Sequence, residues 1–427
     1  MKSIKVGLLG FGNIGRGVWD ITRMNNTTIT EQCGYSIEIS KILVQTDKDR
    51  GVNQGLFTTN AHEILDNPEI DIIIELIGGL SPAKDYILKA LNSKKHVVTA
   101  NKAVIATYGD ELLSAASNNG VYLYYEGSVA GGIPILDSIR ESLAANRIEE
   151  IMGIINGTTN YILTKMTKEG SDFSKALSEA QHKGYAEANP SSDVDGFDAS
   201  YKLSILSSLA FNTKLPVESI YREGITKISP IDIEYAKDLG FVIKLLAIGK
   251  LREDSIELRV HPTLIPAQHP LAAVNDVYNG IFIKGNAVGN LMYYGRGAGS
   301  LPTGSAVVGD MINIIKKMSC SYPSPLSSGA PEKKLQSMES TRCEYYIRIM
   351  VKDIPGVLGK IATLFGNTGV SLSSVIQKGE GEPLVSLVFI THNTLEEGIQ
   401  RAVDEIKKIE EVAEIANIIR VENQYQA

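Results

Sequence analysis

The densest group of residues able to do chemistry is Gly184-Tyr185-Ala186-Glu187-Ala188-Asn189-Pro190, running on through Asp193, Asp195, Gly196 and Asp198 to Lys202. Four carboxylates and a lysine fall within sixteen residues. With a helix starting near Asp195, Asp198 and Lys202 stand one turn apart and point the same way, so the carboxylate can orient the ammonium. Hydride transfer to an aldehyde leaves an alkoxide that needs a proton, and a lysine whose pKa is lowered in a closed cleft can deliver and retrieve it. Glu187, in the preceding loop, suits a substrate ammonium. Taken alone, the spacing of Asp198 and Lys202 is also that of an ordinary exposed ion pair.

A second lysine, Lys102, follows Val97-Val98-Thr99-Ala100-Asn101, just past the end of an apolar strand. In an open α/β sheet that is where ligands bind, and it is also where an ordinary loop lysine sits. The partner for such chemistry is indicated by Gly10-Phe11-Gly12-Asn13-Ile14-Gly15. Gly10 permits the tight turn, Gly12 lets backbone approach a pyrophosphate, Gly15 lets strand and helix pack closely, and amides at the helix start bind the anion. The segment Val44-Gln45-Thr46-Asp47-Lys48-Asp49-Arg50 holds acids suited to a ribose 2′-hydroxyl and bases suited to a 2′-phosphate, so NAD and NADP are both open.

These residues need a scaffold. Ile4 to Leu9 reads as a strand, Asn13 to Arg23 as a helix, Ile37 to Val44 and Asp71 to Ile77 as strands. Ala61 to Asp66, Ser81 to Asn92 and Gly109 to Asn119 read as helices, with strands at His96 to Thr99 and Val121 to Tyr125. The alternation predicts an α/β fold with a Rossmann-type doubly wound parallel sheet. From about Gly131 helices (Ile135 to Ala144, Asp172 to Lys183, Ala199 to Ala210, Glu234 to Lys250) mix with strands (Glu150 to Ile155, Ser255 to Pro262), as in an α+β substrate domain. Gly309 to Ser319 reads as a helix whose apolar side returns to the first domain. Ser321 to Pro331 has a linker's composition. Beyond it, Tyr345 to Val351, Gly356 to Thr368, Val370 to Gln377, Leu384 to Thr391, Leu395 to Ile409 and Val412 to Val421 give βαββαβ, the ferredoxin-like order. The expected limits are 1–130 for the dinucleotide domain, completed by 300–319, then 131–299 for substrate binding and dimerisation, 320–340 for the linker and 341–427 for the last domain.

Bulk properties exclude several classes. A net charge of −7 without a basic stripe argues against nucleic acid as a partner. Cys33, Cys320 and Cys343 match neither a disulfide framework nor a zinc spacing, which implies a reducing compartment. With no leader pattern and no apolar run of roughly 20 residues, the expectation is a cytoplasmic protein with no membrane association.

Residues Ala180 to Lys202 resemble the signature segment of homoserine dehydrogenases. The resemblance is joined by Glu75-Leu76-Ile77-Gly78-Gly79, Thr99-Ala100-Asn101-Lys102, Glu126-Gly127-Ser128-Val129-Ala130-Gly131-Gly132-Ile133-Pro134 and Gly153-Ile154-Ile155-Asn156-Gly157-Thr158-Thr159-Asn160-Tyr161, in family order up to about residue 319. It implies interconversion of L-aspartate 4-semialdehyde and L-homoserine with NAD(P). Lys202 would be the proton donor and acceptor, supported by Asp198, with Lys102 a second catalytic lysine near the reacting oxygen. Glu187 would hold the substrate amine, while Tyr185, Asp193, Gly157 and Thr158 would shape the pocket. Also implied are a sodium site at Glu126, Val129, Gly131 and Ile133, mostly through carbonyls, and a cofactor contact at Gly297 in the late glycine loop Gly295 to Gly299. Many members carry arginine after the second strand, where this chain has Gln45, which puts NADP preference in doubt.

The segment from Tyr345, with Asp353-Ile354-Pro355-Gly356-Val357-Leu358, is similar to an ACT domain, a module that binds regulatory amino acids. The resemblance implies L-threonine as effector, a homodimer or homotetramer, and loss of inhibition without loss of activity when residues after Pro331 are removed. Two other readings compete: aspartate 4-semialdehyde dehydrogenase, which needs a catalytic cysteine in a loop where none stands here, and a catalytically silent amino-acid sensor, against which Lys102, Glu187, Asp198 and Lys202 together speak.

Overall fold

The computed structural model describes residues 3–46, 51–253, 255–319, 333–378 and 382–423. Asp47 to Arg50, and residues 320–332 of the expected 320–340 linker, lie outside the described residues, while the rest of that linker forms a short strand at Lys334–Leu335 and a 3-10 turn at Met338–Ser340. Described residues of 1–148, 201–219 and 285–332 form one compact unit, and those of 149–200, 220–284 and 333–427 form another.

In the first unit the elements are β1 (Ser3–Leu9), α1 (Asn13–Met24), α2 (Asn26–Cys33), β2 (Ser36–Leu43), β3 (Phe57–Thr58), α3 (His62–Leu65), β4 (Ile72–Glu75), α4 (Ala83–Asn92), β5 (His96–Thr99), α5 (Lys102–Asn119) and β6 (Leu123–Tyr124). The sheet runs β3-β2-β1-β4-β5-β6, all parallel. Ile72, Ile73 and Ile74 are wholly buried, as a strand covered on both faces requires. The chain leaves β1 toward β2 and returns across it to β4, so the switch in strand order opens a crevice at the carboxyl ends of β1 and β4, beside Gly10.

The expected helix from Ile135 to Ala144 is a single turn, α6 (Ile135–Asp137), continued by a π turn over Ser138–Ser142. The expected helix at Gly309 begins nine residues earlier, at Ser300, because Pro302 and Gly304 sit in its opening turns, where neither stops a helix. This Ser300–Ser319 helix crosses α1 at two glycines. A Cβ on Gly17 would stand 2.1 Å from the Ser300 carbonyl oxygen, and one on Gly304 would stand 2.8 Å from the Gly17 carbonyl carbon.

The second unit begins with most of β7 (Ile148–Ile154), then α7 (Gly157–Glu169), α8 (Phe173–His182), α9 (Ser191–Val194) and the start of α10 (Phe197–Phe211). It continues with β8 (Tyr221–Arg222), α11 (Pro230–Asp238), β9 (Phe241–Leu251), β10 (Ser255–Pro266) and β11 (Tyr278–Gly285). A helix over Glu234 to Lys250 is therefore not what forms. Gly240 takes φ +81° and stops α11, and the aliphatic run beyond it, which also satisfies helical spacing, is buried on both faces as β9. The first unit takes β12 (Gly289–Arg296) and the Ser300–Ser319 helix, now α12; α2, β3, α7, α9, β8, β11 and β12 were not anticipated.

The C-terminal module carries β13 (Lys334–Leu335), β14 (Arg342–Lys352), α13 (Val357–Asn367), β15 (Leu372–Lys378), β16 (Leu384–Thr391), β17 (Thr394–Leu395), α14 (Glu396–Ile406) and β18 (Val412–Val421). Its main sheet is β18-β14-β16-β15, antiparallel, with both helices packed over a core of Tyr345, Ile347, Phe365, Phe389, Ile399 and Ile406. β18 also pairs parallel with β10, so one sheet runs from β11 through β7, β9 and β10 into the module. Among the described residues, no helix is long and apolar enough to cross a membrane.

Candidate functional site

The dinucleotide turn has the geometry its glycines imply. Gly10 takes φ +103°, and a Cβ there would meet the Leu76 carbonyl oxygen at 2.7 Å. On Gly15 it would meet the Gly10 carbonyl oxygen at 2.3 Å, whereas on Gly12 it would meet nothing within 4 Å, which leaves room for a ligand. Gly12 is the N-cap of α1 and no side chain caps it, so the exposed Asn13 and its neighbour Ile14 open the helix with amides suited to a pyrophosphate. Phe11 packs edge-on to Phe57 at 5.4 Å, which closes the base of the turn.

The next loops at the same sheet edge are tied together by one buried carboxylate. Glu75, at the end of β4, accepts hydrogen bonds from the Thr99 hydroxyl at 2.7 Å and from the Ile77 and Gly78 amides. Burial raises its pKa, and these donors pull it back. Asn101 caps α5 and donates to the Gly79 carbonyl at 2.7 Å, so half-buried Lys102 starts that helix at the carboxyl end of β5. The late glycine loop returns here too: the Ser300 hydroxyl donates to the Asn13 carbonyl, and a Cβ on Gly131 would collide with the buried Gly297 carbonyl at 2.6 Å.

After β6, Glu126 is buried and its carboxylate accepts the Leu136 and Asp137 amides at 2.9 and 2.7 Å. Desolvation pushes its pKa up to about 7. Ligand oxygens of Glu126, Asp137 and Asp310 come within 4.8 Å of one another, and the Oδ1 of buried Asp310 has no hydrogen-bond partner among the described residues. Arg140 pairs with Asp137 at 2.9 Å. Buried Val129, Gly131 and Ile133 follow in a turn where Ala130 and Gly131 both take positive φ. Three carboxylates facing one guanidinium suit a further cation. Asp137 and Asp310 escaped the sequence reading because they lie 11 and 184 residues from Glu126.

In the second unit, buried Asn156 organises the carboxylate segment. It caps α7 through its carbonyl, which accepts the Thr159 amide, and its amide donates to Asp193 at 2.7 Å and to Asp198 at 2.9 Å. Asp198 is 3% exposed, and Lys202, half-buried, follows one turn later on α10. Thr158 donates to the Tyr185 carbonyl, and the exposed Tyr185 ring rests against Tyr161 at 5.0 Å. Gly157 passes the 277 backbone so closely that a Cβ would meet the Val277 oxygen at 2.9 Å. Glu187 is exposed, its carbonyl held by Gln181. The sequence around Asn156 assigns it no role; only folding brings it to two aspartates 37 and 42 residues away.

Profiles of known families match this chain in three stretches: the homoserine dehydrogenase NAD-binding domain over residues 10–126, homoserine dehydrogenase over 134–312 and the ACT domain over 345–411. A Synechocystis homoserine dehydrogenase is 46% identical over 98% of this chain and 99% of its own. The chain belongs to the homoserine dehydrogenase family. It is thus an oxidoreductase with a nicotinamide dinucleotide-binding domain and a C-terminal ACT domain. A solved homoserine dehydrogenase from Thiobacillus denitrificans superimposes with a TM-score of 0.95 at 42% identity, covering 99% of both chains. A hyperthermophilic archaeal homoserine dehydrogenase, solved in complex with NADPH, matches with a TM-score of 0.63 at 26% identity over 75% of this chain and 99% of that one.

In the ACT module, Asp353, Pro355 and Gly356 form an exposed turn ahead of α13, with Gly356 at φ +94° and Leu358 half-open to solvent. Val357 is buried in the core. Asp353 accepts a hydrogen bond from Gln377 on β15, the edge strand, whose Val375 is 40% exposed.

Proposed function

We propose that the chain interconverts L-aspartate 4-semialdehyde and L-homoserine using NAD(P), in the route to threonine, methionine and isoleucine, from the cytoplasm. The observation that carries this reading is the Asn156 bridge, which fixes Asp198 in a buried position one helical turn before Lys202. A reduced dinucleotide held at Gly10 to Gly15 would supply the hydride that the aldehyde carbon accepts. Lys202 gives the nascent alkoxide its proton and takes it back in the reverse direction, with Asp198 holding the ammonium in place. Lys102, opening α5 beside the cofactor crevice, polarises the reacting oxygen. Glu187 binds the substrate ammonium, while Tyr185, Asp193, Gly157 and Thr158 shape the pocket. Gly10 to Gly15 and Gly297 hold the dinucleotide. The NADPH bound by the archaeal relative supports a phosphorylated cofactor and Gln45 speaks against it, so initial rates with each cofactor decide. We read the chain as a dinucleotide domain at 1–130 completed by 300–319, a substrate and dimerisation domain at 131–299, a linker and an ACT domain from 341.

Lys202→Ala is expected to lower kcat by orders of magnitude while leaving the Kd for cofactor unchanged. Equal turnover in both proteins removes the assignment. Glu126, with the carbonyls of Val129, Gly131 and Ile133, is read as the seat of a sodium ion. Sodium chloride should then raise the midpoint of thermal unfolding above that in choline chloride at equal ionic strength, and Glu126→Gln should abolish the difference. Asp353 to Leu358 is read as the effector turn for L-threonine, and exposed β15 as an edge where a second ACT domain pairs in a homo-oligomer. Asp353→Ala should leave a folded, active enzyme insensitive to threonine.

A further inference from the structure

A cleft of about 460 Å³ lies in the second unit between the ACT module and the loop that follows β8, within the size range of small-ligand sites. One wall is the outer side of α14, with Gln400, Val403 and Lys407. Another is the Ile415 to Arg420 stretch of β18, and the third is the 222–228 loop. Its interior is aliphatic at Val403, Ile418 and Pro262. Its rim carries the cations Arg222, Lys227 and Lys407. The acid of the lining, Glu223, is already committed to Arg420 at 2.9 Å and to the Tyr221 hydroxyl. Lys407 also lies 3.8 Å from Asp404, an exposed pair of the kind that contributes little, and cations outnumber acids in the lining, so a cavity with this apolar body selects a ligand with one carboxylate and a short hydrocarbon chain.

The loop facing this cleft has a second neighbour on its other side. The Ile225 amide donates to the Val194 carbonyl at 2.9 Å, and a Cβ on Gly224 would stand 2.4 Å from the Val194 oxygen and 2.8 Å from the Asp195 Cα. The Arg222 guanidinium lies 3.5 Å from the centre of the Phe197 ring. The loop is therefore packed without slack against the stretch that carries Asp193 and Asp198. A molecule filling the cleft has to be accommodated by this loop, and its backbone leaves no free space on the Val194 side to absorb the displacement.

We infer that the cleft between α14, β18 and the 222–228 loop is a binding site for a small aliphatic carboxylate, distinct from the ACT turn at Asp353, and that its occupant bears on the Asp193 to Asp198 segment through that loop. The binding half stands on the cleft alone. Any effect on turnover rests on the roles proposed above for Asp193 and Asp198.

Titration calorimetry of the full chain with L-isoleucine, 2-oxobutanoate and inorganic phosphate tests the site. The expected result is binding of at least one of the two aliphatic carboxylates, tighter than phosphate. Lys407→Glu and Ala416→Trp, which reverse a rim charge and fill the cleft, should each raise Kd about tenfold or more, with unfolding midpoints confirming that both proteins fold. Asp353→Ala should leave this Kd unchanged. If both acids bind, the carboxylate with a two-carbon chain suffices for recognition; if only isoleucine binds, the site is filled by the longer branched side chain or its ammonium, and the aliphatic-carboxylate reading stands. No binding of either acid, phosphate binding as well as they do, or equal Kd in the cleft variants would overturn the site. Hydrogen exchange read on the same samples tests the second half: ligand should slow exchange across 222–228 and change it across 193–198. Unchanged exchange at 193–198 with ligand bound would overturn the coupling while leaving the site and the dehydrogenase reading standing.

Discussion

At the scale of single residues, the arrangement turns on groups whose partners are supplied from far along the chain. Asn156 is the strongest case, because one amide nitrogen serves two carboxylates and its carbonyl caps α7. Hydrogen bonds to charged acceptors contribute about 1.5–3 kcal/mol each, so Asn156→Ala should lower kcat roughly 10- to 100-fold if Asp198 needs that support to hold Lys202. The pH profile of kcat should shift as well, which a purely structural loss would not cause. His96 gives a stability prediction. It accepts the Tyr122 amide at 3.0 Å through Nδ1, stacks on the Tyr122 ring at 5.4 Å, and burial pushes its pKa down to about 4. The folded state thus holds a neutral imidazole that the unfolded chain protonates below about 6.5. Its stabilising share is complete above that pH and is lost as pH falls toward 4. Urea unfolding at pH 7.5 and pH 5 should show a smaller loss in His96→Gln than in the wild type, and an equal loss would contradict the assignment.

At the scale of elements, the crossing of α1 and α12 is set by two glycines that leave no room for a methyl group. Gly304→Ala places a Cβ against the Gly17 backbone, and overpacking of this kind costs about 1–3 kcal/mol. Denaturant titration should show that loss, together with weaker dinucleotide binding, since Ser300 also reaches the Asn13 carbonyl at the start of α1. The sequence made some of these elements plain and hid others. β1, β4 and β5 could be read because unbroken aliphatic runs end in glycines or polar loops, and β16 and β18 have the expected bounds. β9 could not: Val242, Ile243, Leu245, Leu246 and Ile248 satisfy helical and buried-strand spacing alike, and only the pairing with β7 and β10 decides between them. α2, polar along most of its length, offered no periodic signal. Within the candidate site, motifs showed which residue types matter. Asn156, Asp137 and Asp310 stayed silent because their significance lies in what folding brings beside them.

For the whole molecule, the ACT module is bonded into the second unit and does not hang from it. Asp232 at the start of α11 accepts hydrogen bonds from Arg348 at 2.7 Å, Tyr346 at 3.0 Å and Asn417 at 2.9 Å. Arg420 joins Glu223 to Glu396, and Glu422 lies among Arg259 and Lys250. These contacts revise the expectation that residues after Pro331 can be removed harmlessly. Without them Arg259, 1% exposed, keeps Glu257 at 2.6 Å but loses the Glu422 carboxylate, at a cost no greater than the ~3–5 kcal/mol of a fully unpaired buried ion. A chain ending at Ser319 should therefore unfold at lower temperature or aggregate on size exclusion. A fully stable, merely desensitised fragment would show that the ion pairs contribute little. The position of Glu422 has a practical side. That single carboxylate works as a latch pin between Lys250 and Arg259, so Glu422→Gln would loosen the protein while altering none of the side chains assigned to the reaction.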